Sequence, residues 1–128
     1  MTALLDTDVL VDCLRGTPSS REWLASVAGD AFQVPGIVAM EVAAGSRNKA
    51  DLKVVRRFLD QFEIVWPEAG EFARAFDLLA SHRLDSGLGI PDCLIASMAL
   101  SRSATIYTFN ARHYRVVPGL DVREPYPR

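Results

Sequence analysis

An α/β/α sandwich, three layers around a central, mostly parallel sheet of four or five strands, is the architecture this sequence implies. Three observations carry it. Short apolar runs of about strand length alternate with longer segments whose apolar residues recur at helical spacing. Gly, Pro and Ser mark the places where one period gives way to the other. The chain of 128 residues, 49% hydrophobic, suits a single domain over 1–128 with one core.

The elements follow in order. Thr2, Ala3, Leu4 and Leu5 make a first strand, and Val9 to Leu14 continues at helical spacing until Gly16. Residues 17–20 read as a cap, and 21–28 as a helix with Trp23, Leu24 and Val27 on one face, stopped by Gly29. Residues 31–34 form a second strand closed by Pro35 and Gly36; a helix over 37–44 ends at Gly45 and Ser46. A charged amphipathic helix over 51–61 gathers Leu52, Val55, Phe58, Leu59 and Phe62 on its apolar face. Residues 63–66 are a third strand before Pro67. In 68–83, Phe72, Phe76 and Leu79 fall at i, i+4 and i+7, which gives a helix with these as its apolar face. Residues 85–91 form a loop, 92–102 a buried helix with Leu94, Ile95, Met98 and Ala99 inward, 104–107 a fourth strand, and 116–122 holds a fifth around Pro118 and Gly119. There is no internal repeat, low-complexity segment or second domain.

Composition excludes some classes of function. A formal net charge of -2 rules out binding nucleic acid by overall charge, so such a partner needs a local site. No apolar run approaches the roughly 20 residues that span a bilayer, and residues 1–5 are too short for a signal peptide. A cytoplasmic protein without a membrane partner is expected. Cys13 and Cys93 lack a partner motif and read as buried apolar residues.

In a parallel sheet the loops after the strands gather along one edge, where ligands bind. Asp6 and Asp8 follow the first strand, Glu41 lies in the helix after the second, Asp92 opens the helix before the fourth, and Asn110 follows the fourth. Glu41 is the most informative, because Ile37, Val38, Met40, Val42, Ala43 and Ala44 around it read as core. A carboxylate buried there must be paired, hydrogen-bonded or coordinated. Clustered carboxylates also raise one another's pKa, and a hard divalent cation such as Mg²⁺ or Mn²⁺ relieves both problems.

Each residue also has a plainer use. Asp6, Thr7 and Asp8 can cap the first helix, Asp92 behind Pro91 can be a first-turn acid, Glu41 can pair with Arg47, and Asn110 can be a turn residue. Their coincidence on one predicted edge argues for a shared site.

These residues resemble a known family. Leu4-Leu5-Asp6-Thr7-Asp8-Val9-Leu10-Val11-Asp12 is similar to the opening of PIN domains of the VapC type, the ribonuclease toxins of type II toxin-antitoxin pairs. Met40-Glu41-Val42-Ala43-Ala44-Gly45, Ile90-Pro91-Asp92-Cys93-Leu94-Ile95-Ala96 and Thr105 through Tyr114 continue the resemblance over essentially the whole chain. It implies a PIN-like fold and a metal-dependent endoribonuclease. Asp6, Glu41 and Asp92 would bind Mg²⁺ or Mn²⁺, with Thr108 and Asn110 lining the site. Asp8 stands where many relatives have asparagine, and the segment after the fourth strand offers Asn110 and His113 where relatives often place a fourth acid.

The implied chemistry is hydrolysis of an RNA phosphodiester, with Asp6 and Asp92 as direct ligands and Glu41 ligating through water or serving as base. Setting Asp6, Glu41 and Asp92 aside leaves 14 basic against 13 acidic residues, a surface not hostile to RNA. Arg47 and Arg112 are candidate phosphate contacts, along with Lys49, Lys53, Arg56, Arg57, Arg102 and Arg115. His113 is either a general acid or a turn residue packed by Tyr114. The resemblance implies a homodimer and inhibition by a cognate antitoxin covering the acidic groove. Two alternatives stand beside it. An inactive PIN fold could act only by binding RNA or partners. A haloacid-dehalogenase-like phosphatase could use Asp6 as nucleophile, but it wants a late lysine, and Lys49 and Lys53 both come early.

Overall fold

In the computed structural model, residues 2–27 and 31–128 are described. The elements are β1 (Thr2–Leu5), α1 (Thr7–Arg15), α2 (Pro18–Ser26), β2 (Ala31–Pro35), α3 (Gly36–Ala44), α4 (Lys49–Leu59), β3 (Glu63–Val65), α5 (Ala69–Ser86), α6 (Ile90–Arg102), β4 (Thr105–Tyr107), α7 (Ala111–Tyr114) and β5 (Asp121–Arg123). All five strands run parallel, in the order β3-β2-β1-β4-β5. The chain steps outward from β1 to β3, then returns to the far side of β1. Right-handed crossovers in these two opposite directions put their helices on opposite faces, which makes the three layers.

Burial explains the strand sequences. β1, at the centre of the sheet, carries Ala3, Leu4 and Leu5 with almost no exposure, and Ile106 on β4 is equally enclosed. Strands covered on both faces read as continuous apolar runs. α6 supplies Ile95, Met98 and Ala99 to the same core, as its periodicity implied, with Ala96 beside them, while Leu94 is buried in a second cluster with Ala75 and Leu88; Cys13 and Cys93 are buried free thiols.

Local chemistry sets the helix ends. Asp6 is the N-cap of α1, accepting the Thr7 N–H, and Gly16 closes it at φ 67, a left-handed backbone that glycine adopts without a Cβ penalty. Thr17 caps α2, so that helix begins at Pro18 and not at residue 21, while its expected stop at Gly29 lies outside the described residues. Asn48 caps α4, which therefore starts at Lys49. A Cβ on Gly36 would sit 2.2 Å from the Trp66 ring, so the turn from β2 into α3 requires glycine.

Five expectations need correction. Phe72 and Phe76 are 53% and 69% exposed, because α5 meets α6 through Glu71, Ala75 and Leu78 instead. Leu52 on α4 is exposed as well. Residues 111–114, where no helix is expected and His113 is offered as a turn residue, form the short helix α7, and β5 lies after Pro118 and Gly119, not around them. Arg102, offered as an RNA contact, is committed to Glu71: Nε and Nη2 donate at 3.0 and 2.9 Å, and Nη2 also reaches the Trp66 carbonyl at 3.2 Å.

Candidate functional site

β1 and β4 are adjacent and parallel, and between them the order in which strands join the sheet reverses, β2 and β3 lying to one side and β4 and β5 to the other. The pairing of Leu5 with Tyr107 brings the next residues, Asp6 and Thr108, together at the carboxyl ends of the strands. This is the switch point where parallel α/β sheets open a crevice for ligands. The backbone anchors it, since the Asp6 N–H donates to the Tyr107 carbonyl and the Thr108 N–H to that of Arg123, both at 3.0 Å.

Asp6 is only 8% exposed, and three donors serve it. Thr7 N–H meets Oδ1 at 2.8 Å; the Thr108 hydroxyl and the Tyr114 phenol meet Oδ2 at 2.8 and 3.1 Å. The same phenol lies 3.4 Å from Oδ1 of Asp92, whose Oδ2 accepts the Gly89 N–H at 3.1 Å and so also caps α6. Asp8 joins from the next position, accepting the Phe109 N–H at 3.1 Å, with the Thr108 hydroxyl 3.5 Å away.

Glu41 departs from expectation. It is exposed, because α3 turns Met40, Glu41 and Ala44 to solvent while Val38, Ala39 and Val42 face the core. Its Oε1 accepts the Thr7 hydroxyl at 2.9 Å, which places it at the rim next to Asp6. It does not pair with Arg47, which bonds Asp51 at 3.2 Å. Asn110 is also at the rim: its N–H donates to the Thr108 oxygen at 2.9 Å and its amide lies 2.8 Å from His113 Nδ1. Arg112 is exposed on α7.

The electrostatics are those of clustered, mostly buried acid. Burial, then the neighbouring Asp8 charge, push Asp6 up to about 6, despite the opposing hydrogen bonds. Burial likewise raises Asp8, and the Tyr114 phenol is driven well up by burial and by Asp6 and Asp92. The ion pairs found among the described residues, Arg47–Asp51, Arg102–Glu71, Arg123–Asp121 and Arg128–Asp12, include none of the four edge acids, although the Arg128 charge acts on Asp8 from a distance.

Hard oxygen donors with unbalanced charge fit a divalent cation in their chemistry. Among the described residues, however, no three carboxylate, histidine or cysteine side chains converge as a ready-made cation site. Hydroxyls stand between the acids: Thr108 between Asp6 and Asp8, Tyr114 between Asp6 and Asp92.

Tyr114 and Thr7 are the residues that sequence reasoning missed as site members. Both sit inside quoted motifs, but a phenol or hydroxyl carries no signal of its own until its neighbours are known.

The PIN domain family profile matches residues 3–117. Ribonuclease VapC19 of Mycobacterium tuberculosis is 34% identical, over 96% of this chain and 98% of its own length. Ribonuclease VapC10 of the same species is 29% identical, over 87% and 84%. Among solved structures, VapBC2 from Rickettsia felis bound to a promoter DNA fragment superposes with a TM-score of 0.80 at 26% identity, covering 97% of this chain and 98% of that one. With the profile spanning β1 to β4 and every one of the edge acids, this chain belongs to the PIN domain family.

Proposed function

We propose that this protein is a metal-dependent endoribonuclease, the toxin of a type II toxin-antitoxin pair, cutting RNA at the acidic edge of its sheet. The observation that carries the reading is the cluster of Asp6, Asp8, Asp92 and Glu41, none of them in an ion pair among the described residues, at the β1/β4 switch point in a chain of this family. The similarity to VapC ribonucleases and to toxin-antitoxin complexes supports the activity and the antitoxin partner.

Asp6 and Asp92 would hold Mg²⁺ or Mn²⁺, with Glu41 at the rim. When bound, the ion supplies an activated water and offsets charge on the scissile phosphate. Thr108 and Thr7 orient the Asp6 and Glu41 carboxylates toward the opening. Glu41, exposed and held by a single hydroxyl, is free to take the proton of the attacking water. Asn110 replaces the acid often found after the fourth strand and presents a neutral amide to RNA, while Arg112 and Arg47 contact its phosphates.

Two surfaces fit protein partners. A groove of about 470 Å³, lined by Val11, Leu14, Val54 and Arg47 among others, reaches the site at Glu41 and can seat an antitoxin segment. The exposed Phe72, Phe76 and Ile90 flank an apolar groove of about 220 Å³ between α5 and α6, the face assigned to a homodimer.

The test is cleavage of labelled RNA by the purified chain with Mn²⁺, Mg²⁺ or EDTA. Asp6→Asn and Asp92→Asn are expected to lose more than the roughly 10- to 100-fold that an outer-shell change costs. RNA left intact by the wild type under every metal condition overturns the reading.

A further inference from the structure

Tyr114 is fully buried, and its one phenolic proton faces two carboxylates, Asp6 Oδ2 at 3.1 Å and Asp92 Oδ1 at 3.4 Å. A single proton serves one acceptor at a time. Around it, Asp6 Oδ1 is taken by Thr7 N–H, Asp6 Oδ2 also by the Thr108 hydroxyl, and Asp92 Oδ2 by Gly89 N–H. Among the described residues the phenol is therefore the side chain within hydrogen-bond reach of both of these acids, which lie 86 residues apart in sequence and are in no ion pair there. The four-residue helix α7 exists locally to aim it, being anchored by the Asn110 N–H on Thr108 and by the His113 N–H on the Asn110 carbonyl.

We propose that the Tyr114 hydroxyl is a positioning group that stands between Asp6 and Asp92 in the cation-free protein and thereby sets the divalent-ion concentration at which the site fills. This rests on the cation-binding reading of Asp6 and Asp92 given above. A hydroxyl bonded to an ionised carboxylate makes a strong, charge-assisted bond, and that bond weakens once a cation has drawn off the carboxylate's charge. The hydroxyl thus stabilises the empty site more than the filled one. By linkage, removing it favours the filled state.

The experiment is titration of wild type and Tyr114→Phe with Mn²⁺ alone, following free Mn²⁺ by electron paramagnetic resonance, with thermal unfolding in EDTA and in saturating Mn²⁺. The phenylalanine keeps the ring and its packing. Expected is a lower melting temperature for Tyr114→Phe in EDTA, most of it recovered in Mn²⁺, and a Mn²⁺ dissociation constant about three- to tenfold lower than wild type. Incorporation of 3-fluorotyrosine at 114, a stronger donor, should raise the constant instead. A residue that only fills the core would lower both melting temperatures equally and leave the dissociation constant unchanged, which overturns the proposal; so does weaker Mn²⁺ binding by Tyr114→Phe. Wild type that binds Mn²⁺ and cuts RNA while the variant binds equally sinks this role alone. Wild type that does neither sinks the nuclease reading and this role with it.

Discussion

The Thr108 hydroxyl donates to Asp6 across 2.8 Å, joining residues 102 apart in sequence at the ends of neighbouring strands. Thr108 is fully buried and its oxygen also accepts the Asn110 N–H, so it ties β1, β4 and the start of α7 together. Thr108→Val removes the donor and leaves that N–H without its acceptor. We expect a loss of about 1–3 kcal/mol in urea unfolding. Thr108→Ser, which keeps the hydroxyl, should recover most of it.

Asp6 offers a stability gain at the expense of function. Its carboxyl is raised to about 6 in the folded protein, against an ordinary value near 4, so the folded state binds the proton more tightly than the unfolded one. Stability of the metal-free protein is therefore higher below about pH 4 than above 6, as far as this group is concerned, and falls as pH rises through 6. Asp6→Asn should raise the melting temperature in EDTA at pH 7.5, by on the order of 1–2 kcal/mol of stability, and gain nothing at pH 4, while abolishing RNA cleavage. A pH-independent effect in the melts would contradict this account.

Glu71 has the opposite sign. Buried against Arg102, it receives hydrogen bonds from that guanidinium, from the Ser101 hydroxyl and from the Glu68 N–H, and these hold it down at about 2. Its contribution is complete above the usual glutamate range and is lost as pH falls from about 4.5 toward 2. Glu71→Gln should cost about 3 kcal/mol at pH 7 and little at pH 2, read from denaturant midpoints at the two pH values. In metal-free protein the two groups together place a stability maximum in the acid range, between their transitions.

Phe76, on the exposed face of α5, tests self-association without touching the core. Phe76→Glu should leave the melting temperature of the monomer within about 0.5 kcal/mol of wild type, as surface changes do. Sedimentation should shift it from dimer to monomer. A wild type that sediments as a monomer, or a variant that stays dimeric, removes this face from the interface.

Much of this protein was legible in the linear chain. The central strands were readable as apolar runs because burial on both faces leaves no room for polar residues, and Ile95, Met98 and Ala99 declared the inner face of α6. Asp6, Asp8, Asp92 and Asn110 could be placed on one edge because a parallel sheet must put all its strand ends together, whereas Thr108 came only from the family resemblance. What periodicity could not decide was which apolar stripe of a helix meets the core. α5 shows Phe72 and Phe76 to solvent because a buried ion pair, Glu71 with Arg102, fixes its rotation against α6. Nor could it decide that Glu41 sits outside, held by Thr7, or that Tyr114 reaches both Asp6 and Asp92. Those outcomes depend on distances between segments far apart in the chain, which local pattern does not encode and only packing sets.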